Sequence, residues 1–486
     1  MPVAPADAVR LSICIPTLDG RATSLTETLE SIDAQLEGEL RSVVEVCISD
    51  TASQDGTAEV VEEFQRRGLP VTYRWHERNE GLTQNIFDAA ALGTGAHLWL
   101  FSSDDTIAPD GIVEVLRLIG EHGEAAGITV ARANLDAGMR TEVDVDGDAM
   151  LPATWEESHV FRSAEAAVRH CGLFQTYLSS QIVRRDEWAS AVARHREEIT
   201  VRARHFPHLW VFGYMLECRP RWVWHPAKLV NNRTQSSLLA AEVGGRDALW
   251  VLSVLPDLTS IWATQLDAHG PAYRELIGRL LAQWGSPAII AVFRREAGHD
   301  VRTDVALLVE YVRRFWRLPD FWRRTAPVLL FPACVADRVG RLCPALTREM
   351  PVLPADRCRA RIDAAIPARL SPRRNFELEV EVSNTGSATY RSTGEHPVLV
   401  AWRCHDASSG ELLVDIRRAL PAPLAPGGSL VVRLVAATPP REGTFRLTAT
   451  LLQEGVRWFD EVEPDSAWSA TVEVAPALSL DAGSAR

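Results

Sequence analysis

Lysine is almost missing from this chain: of 51 basic residues in 486, Lys228 is the single lysine and the rest are arginine. The scarcity argues against a sugar nucleotidyltransferase, whose glycine-rich, lysine-containing phosphate loop belongs near the first strand; the segment there reads PTLDGR, Pro16 to Arg21. Arginine in place of lysine, with abundant alanine, reads as the coding bias of GC-rich bacterial genes. Cysteine is sparse too. Cys14, Cys47, Cys171, Cys218, Cys334, Cys343, Cys358 and Cys404 form no CxxC pair and no metal-ligand spacing. Cys14 and Cys47 fall inside apolar strand patterns, where cysteine serves as a small core residue, and the pattern fits a reduced, cytoplasmic protein. The first ten residues lack the charged start and apolar stretch of a signal peptide. No run approaches the ~18 apolar residues of a spanning helix, the nearest being APVLLFPACVA from Ala326, so the chain is expected to be soluble or peripheral. A net charge of -13 leaves no global basic field, which argues against a nucleic-acid partner.

What is present begins with a βαβ rhythm. LSICIP, VVEVCIS, VTYRW, HLWLFS and GITVARA read as strands, with amphipathic stretches between them. One such helix is expected from Thr57 to Arg67, with Ser53 as N-cap and Gly68 as stop, and another starting at Pro109. The pattern predicts an α/β fold with a mostly parallel nucleotide-binding sheet and right-handed crossovers. Two acidic corners, Asp50 and Asp104–Asp105, each follow a buried-strand pattern. They fall at the carboxyl edge of the sheet, where open α/β sheets bind ligands.

Residues 134–158 read as a polar loop or short hairpin. Helical pattern then runs from Gln235 to about Leu342 and contains the cluster YVRRFWRLPDFWRR. Beyond a proline-spaced stretch, six or seven short alternating strands indicate an all-β sandwich. The expected domains are therefore 1–235, the α/β domain; 236–350, a helical extension; 351–368, a linker; 369–476, the sandwich; and 477–486, a tail.

Four stretches in order, LSICIPTLDGR, ISDTASQDGT, RNEGLTQN and LWLFSSDDTIAP, resemble family 2 glycosyltransferases of the nucleotide-sugar-binding A-type fold. A fifth, TYLSSQIVRRDEW, looks like the acceptor-half segment of abequosyltransferase-like members. Together they cover residues 11 to about 235. The sandwich resembles Ig-like modules appended to bacterial polysaccharide enzymes, through VSNTGSATY, GEHPVLVAW and LLQEGVRWF.

The resemblance implies a base-binding corner at Pro16 and Thr17 and a nucleoside contact at Asp50. Capping of the following turn is the other reading of Asp50. Asn79, Gly81 and Asn85 surround a helix start that attracts polar ligand groups, although Asn79 could equally be a cap. Arg78 reads as a surface arginine. The family's carboxylate-rich motif falls on Ser102-Ser103-Asp104-Asp105, so its leading acid is serine here. By resemblance Asp104 is the carboxylate expected to touch Mg²⁺ or Mn²⁺, with Asp105 on the metal or the donor sugar and Ser103 in the donor site; one or two carboxylates with substrate phosphates and waters can hold Mg²⁺. Arg233 in KLVNNRTQSS is a phosphate partner or a surface loop residue.

An inverting transfer needs a base for the acceptor hydroxyl. Where relatives place an acidic pair, this chain has RARHFPHLWVFGYMLE, and His208 takes first place, with Asp105 as a second catalytic residue and His205, Asp186 and Glu187 as rivals. Residues 309–324 could lie on anionic lipid or pack their aromatics into a core. Trp402 reads as core, and Trp458 and Phe459 as core or a sugar-stacking platform. The implied activity is transfer of a sugar from a nucleotide-sugar donor to a hydroxyl of a glycan or lipid-linked acceptor in surface polysaccharide assembly. The other readings are a non-catalytic glycan-binding or scaffolding protein with a degenerate transferase domain and, behind it, the sugar nucleotidyltransferase that the PTLDGR segment argues against.

Overall fold

The computed structural model describes residues 9–136, 138–140, 142–143, 157–233, 247–285, 290, 301–330, 350–367, 370–392, 396–439 and 441–475. The expected tail lies outside them. The chain forms two compact units, one holding the residues up to Arg132 and again from Glu157 to Pro332, the other holding Ala133–Asp148, and so the hairpin described below, together with the residues from Ala333 on.

In the first unit four strands run parallel: β1 (Leu11–Leu18), β2 (Val44–Thr51), β3 (Val71–His76) and β4 (His97–Leu100), in the order β3-β2-β1-β4. β1 and β4 are buried almost end to end, as the continuous apolar runs LSICIP and HLWL require of strands covered on both faces. The short β5 (Thr106–Ile107) follows the second acidic corner, and β6 (Gly127–Leu135) lies further along the sheet. Leu135 pairs with Glu142 of β7 (Glu142–Val143), closing a short hairpin where a loop or hairpin was expected. After β8 (His159–Phe161), β9 (Gln181–Arg184) enters antiparallel between β4 and β6, so the sheet is parallel on one side and mixed on the other. The long β10 (Trp222–Arg233) pairs antiparallel with β5 and β8, which carries Arg233 back toward the end of β4.

The helices between the strands include α1 (Ala22–Asp33), α2 (Thr57–Arg66), α3 (Leu82–Leu92) and α4 (Gly111–His122). Two expected starts differ. α2 is entered through Gly56 at φ 91°, with Asp55 rather than Ser53 accepting from the Thr57 amide at 3.2 Å; Ser53 instead turns back onto Asp50. α4 begins at Gly111, two residues past Pro109, because Asp110 adopts a left-handed φ of 60° that a helix cannot include. Further on come α5 (Ala164–Cys171), α6 (Arg185–Arg202) and α7 (Pro207–Cys218), then α8 (Asp247–Gln265), α9 (Pro271–Trp284) and α10 (Val301–Phe315). The aromatic cluster divides: Tyr311, Phe315 and Phe321 are buried, whereas Trp316 and Trp322 are 52% and 49% exposed.

The second unit holds the sandwich. One sheet is β11 (Ala360–Ala364), β12 (Asn375–Asn384) and β15 (Ser429–Ala437); the other includes β13 (Val398–Asp406), β14 (Leu412–Ala419), β16 (Gly443–Gln453), β17 (Arg457–Trp458) and β18 (Ala467–Val474). Alternating side chains from both sheets share one core around Trp402. β11 falls where a linker was expected: its Ala360 and Ile362 point into this core and it pairs with β12 from Ala360 to Ala364. Phe459 is core, while Trp458 is half-buried beneath the Arg403 guanidinium, 4.0 Å from the ring centroid.

Candidate functional site

The register of the parallel strands sets the site. Thr17 at the end of β1 lies beside Asp50 of β2, and Asp50 beside Trp75 of β3. Asp50 is fully buried. Its Oδ1 accepts from the Ser53 amide at 3.2 Å and the Ser53 hydroxyl at 2.5 Å, and its Oδ2 accepts from the Tyr73 hydroxyl at 2.6 Å. The turn-capping contact is thus present, with a tyrosine that sequence reasoning missed. Burial and the Asp50 carboxylate push the Tyr73 phenol well above its ordinary range, so it stays a donor.

Asn85 reaches across from the first turn of α3 and donates Nδ2 to the Thr17 carbonyl at 2.8 Å. Its Oδ1, the Thr17 hydroxyl and Nε of Arg21 are buried polar atoms with no hydrogen-bond partner among the described residues. Buried polar atoms are normally paired, so three orphans from neighbouring stretches at one strand edge can take a polar ligand. Gly81 precedes α3 at φ 90°, a conformation that favours glycine, and its amide donates to Oδ1 of Asn79 at 2.9 Å. Asn79 is exposed and forms this turn; Arg78 is exposed as expected. Pro16 and Ser103 are buried beside the site.

The second corner opens where β4 ends. Phe101 still donates to the Cys14 carbonyl at 2.9 Å, and the chain then leaves the sheet as Ser102-Ser103-Asp104-Asp105. The Ser102 hydroxyl donates to Oδ1 of Asp104, and the guanidinium of Arg21 pairs with its Oδ2. Asp105 accepts at Oδ2 from the Ser179 hydroxyl at 2.6 Å and at Oδ1 from the Arg233 amide at 3.1 Å. Thr28 of α1 donates to the Asp105 carbonyl at 2.7 Å, and Nε of Arg233 to the Asp104 carbonyl at 3.1 Å, while Arg233 also pairs with Glu27. Arg233, read from sequence as a phosphate partner or a loop residue, is therefore part of this corner. Burial and the adjacent Asp104 push the Asp105 carboxyl up to about 7; Ser179, the Arg233 amide and the Arg132 charge act against that rise.

Arg21, Thr28, Arg132 and Ser179 escaped the sequence reading as site residues. Arg21 and Ser179 sit inside stretches already singled out, LSICIPTLDGR and TYLSSQIVRR, whereas Thr28 and Arg132 carry no local signal.

The structure places His208 inside the first unit rather than on an open face. It is 3% exposed, Nε2 donates to the Gln175 carbonyl at 3.0 Å, and Phe206 and Phe212 flank the ring. Burial lowers its pKa to about 4, so it is neutral, and among the described residues Nδ1 has no hydrogen-bond partner. Reaching an acceptor from there requires the surrounding rings to open. The rivals are tied elsewhere: His205 to Ser253 at 2.9 Å, Asp186 to Arg184, and Glu187 to Arg219 at 2.8 Å.

Among the described residues no group of three or more His, Cys, Asp or Glu side chains could hold a metal ion. Around Asp104 and Asp105 every carboxylate oxygen already accepts a hydrogen bond, and a guanidinium sits on Asp104. A divalent cation here would have to displace the Ser102 hydroxyl or the Arg21 guanidinium from Asp104 and lie against the Arg21 charge, so the donor set as it stands does not fit one.

The family model for Glycosyl transferase family 2 matches residues 12–178, the span that carries both corners. Those residues form a family 2 glycosyltransferase domain. Abequosyltransferase RfbV of Salmonella typhimurium is 31% identical over 186 residues, 37% of this chain and 54% of that protein. Protein y4gI of Sinorhizobium fredii is 27% identical over 116 residues, 24% of this chain and 12% of the relative. The chain thus spans about half of the first relative and a small part of the second. Among solved structures, S. aureus TarS aligns over 96% of this chain and 77% of its own, at 12% identity and a TM-score of 0.46. The mannosyltransferase PcManGT of Pyrobaculum calidifontis, solved with GDP-Man and Mn²⁺, aligns over 69% and 87%, at 14% identity and a TM-score of 0.40.

Proposed function

We propose that this protein is a glycosyltransferase that moves a sugar, with inversion, from a nucleotide-sugar donor to a hydroxyl of a glycan or lipid-linked acceptor in surface polysaccharide assembly. One observation carries the reading: within the family 2 domain, the orphaned Thr17, Asn85 and Arg21 atoms and the Asp104–Asp105 corner share one strand edge. In the proposal the nucleoside lies against Pro16, Thr17 and Asn85, with Asp50 and Tyr73 shaping the wall and Gly81 leaving room at the start of α3. The diphosphate faces Arg21 and Arg233, and the sugar lies near Ser103 and Asp105.

Acceptor deprotonation falls to Asp105 or His208, and Asp105 is the stronger candidate. It belongs to the corner itself, and a carboxyl near 7 can both accept and return a proton at neutral pH. Incubation with a panel of nucleotide sugars and a glycan acceptor tests the reading. Time-dependent release of nucleoside diphosphate together with a glycosylated product is expected; binding without release would make the protein the non-catalytic glycan-binding alternative.

A peripheral membrane location is part of the proposal. No described helix is long and apolar enough to cross a membrane. On α10, however, Val301, Val305 and Val309 are exposed at four-residue spacing and lead toward exposed Trp316, with exposed Arg302, Arg313 and Arg317 alongside. An apolar row flanked by arginines suits the headgroup boundary of anionic lipid. Co-sedimentation with phosphatidylglycerol vesicles, absent with phosphatidylcholine and weakened in Trp316→Ser/Trp322→Ser, is expected.

A further inference from the structure

Resting on the nucleotide-sugar reading, we propose that Arg21 is the diphosphate-binding cation of this site and that donor binding needs no divalent metal. The argument starts from Ser102. A carboxylate there would add a ligand and a negative charge; the serine hydroxyl instead donates to Asp104, which occupies Oδ1 from within the turn. The other oxygen is taken by Arg21.

Arg21 is 7% exposed, an unusual depth for a guanidinium unless it is paired. Its pairing is incomplete, because Nε remains buried without a partner. A guanidinium presents five donors in a planar fork that matches phosphate oxygens two at a time. With Nη1 held by Asp104, Nε has no acceptor among the described residues. A diphosphate oxygen is the acceptor it lacks.

Charge balance points the same way. Asp104, Asp105 and Glu27 are matched at this corner by the guanidiniums of Arg21, Arg233 and Arg132. A corner already neutralised by arginine does not repel a diphosphate, and a divalent ion on Asp104 would lie against the Arg21 charge. Asp104 then acts as a positioning residue that holds Arg21 for the leaving group, rather than as a metal ligand.

Calorimetry on the full chain tests this. The protein is stripped with EDTA, exchanged into metal-free buffer and titrated with UDP, GDP, CDP and dTDP and the matching monophosphates, with and without Mn²⁺. One diphosphate is expected to bind with a Kd that Mn²⁺ changes by less than about threefold, and Arg21→Ala should weaken it by about tenfold or more while affecting the monophosphate less. Arg21→Lys should recover part of the loss. Asp104→Asn should weaken diphosphate binding in the wild-type background but add little to Arg21→Ala, the non-additivity of a pair acting as one. Arg21→Gln, which keeps most of the side-chain volume, stands in if Arg21→Ala unfolds. Diphosphate binding that requires Mn²⁺ and survives Arg21 replacement would overturn the inference but leave the nucleotide reading standing. Failure of every nucleotide to bind folded wild-type protein would overturn that reading, and the inference with it.

Discussion

Ser179 donates its hydroxyl to Oδ2 of Asp105 at 2.6 Å, tying the turn before β9 to the corner after β4 across 74 positions of chain. This bond stabilises the charged carboxylate against burial and the neighbouring Asp104, both of which raise its pKa. Removing it in Ser179→Ala should raise the Asp105 pKa by about one pH unit, the equivalent of one charge-assisted hydrogen bond. A pH titration of kcat/KM in the variant reads this directly, and an unmoved ascending limb would disconnect Asp105 from catalysis.

The same profile in wild-type protein separates the two candidate bases. A base works deprotonated, so activity rises with pH through its pKa. With Asp105 as base, kcat/KM should climb through about pH 7. With His208 as base, the limb should lie near 4 and activity should be flat from pH 5.5 upward. Asp105→Asn should lower kcat by about a hundredfold or more under the first outcome.

Acid should destabilise the first unit through its buried histidines. His97 and His208 are both held neutral, with pKa values lowered by burial to about 4 from an ordinary 6.5. A depressed folded-state pKa contributes stability that is present above the unfolded pKa and lost as pH falls through the folded one. Thermal unfolding should therefore show Tm falling between about pH 6.5 and 4, and a less steep decline in His97→Gln. An unchanged slope in that variant would remove His97 from the explanation.

A single methyl group tests the packing beneath β6. A Cβ at Gly127 would overlap the ring of Trp222 on β10, whose Nε1 donates to Thr129 at 2.8 Å and fixes the ring in place. Gly127→Ala should cost about 1–3 kcal/mol in urea unfolding, the usual range for overpacking. Trp222→Phe in the same chain should return part of that loss by making room for the methyl; no recovery would locate the strain elsewhere.

Tyr73 and Asp50 offer a fifth measurement. Tyr73→Phe leaves Oδ2 of Asp50 buried without its donor, which should cost about 1–3 kcal/mol of stability. If Asp50 also shapes the nucleoside wall, nucleotide affinity should fall in Asp50→Asn by more than in Tyr73→Phe. Equal affinities in both variants and wild type would leave Asp50 with its turn-capping role.

The strands were legible because burial on both faces demands continuous apolar runs, and β1, β2 and β4 each contain one. Asp104 and Asp105 were legible because they follow such a run directly. Ala360–Ala364 was not, since five residues with two inward positions are too short for their alternation to stand out from a proline-spaced stretch. The surroundings of His208 were not legible either: the aromatic rings that enclose it become visible only when α7 is packed.

By itself, then, the sequence determined the βαβ order, the sheet edge at which Asp50, Asp104 and Asp105 emerge, and the exchange of a leading carboxylate for Ser102. The first two follow from periodicity and adjacency, which are local, and the third from the resemblance to family 2 glycosyltransferases. The tertiary structure alone decided that Arg21, Ser179 and Arg233 converge on those carboxylates from 83, 74 and 128 positions away. No short-range pattern records that convergence, because it depends on where β1 and β10 end and β9 begins once the sheet has formed.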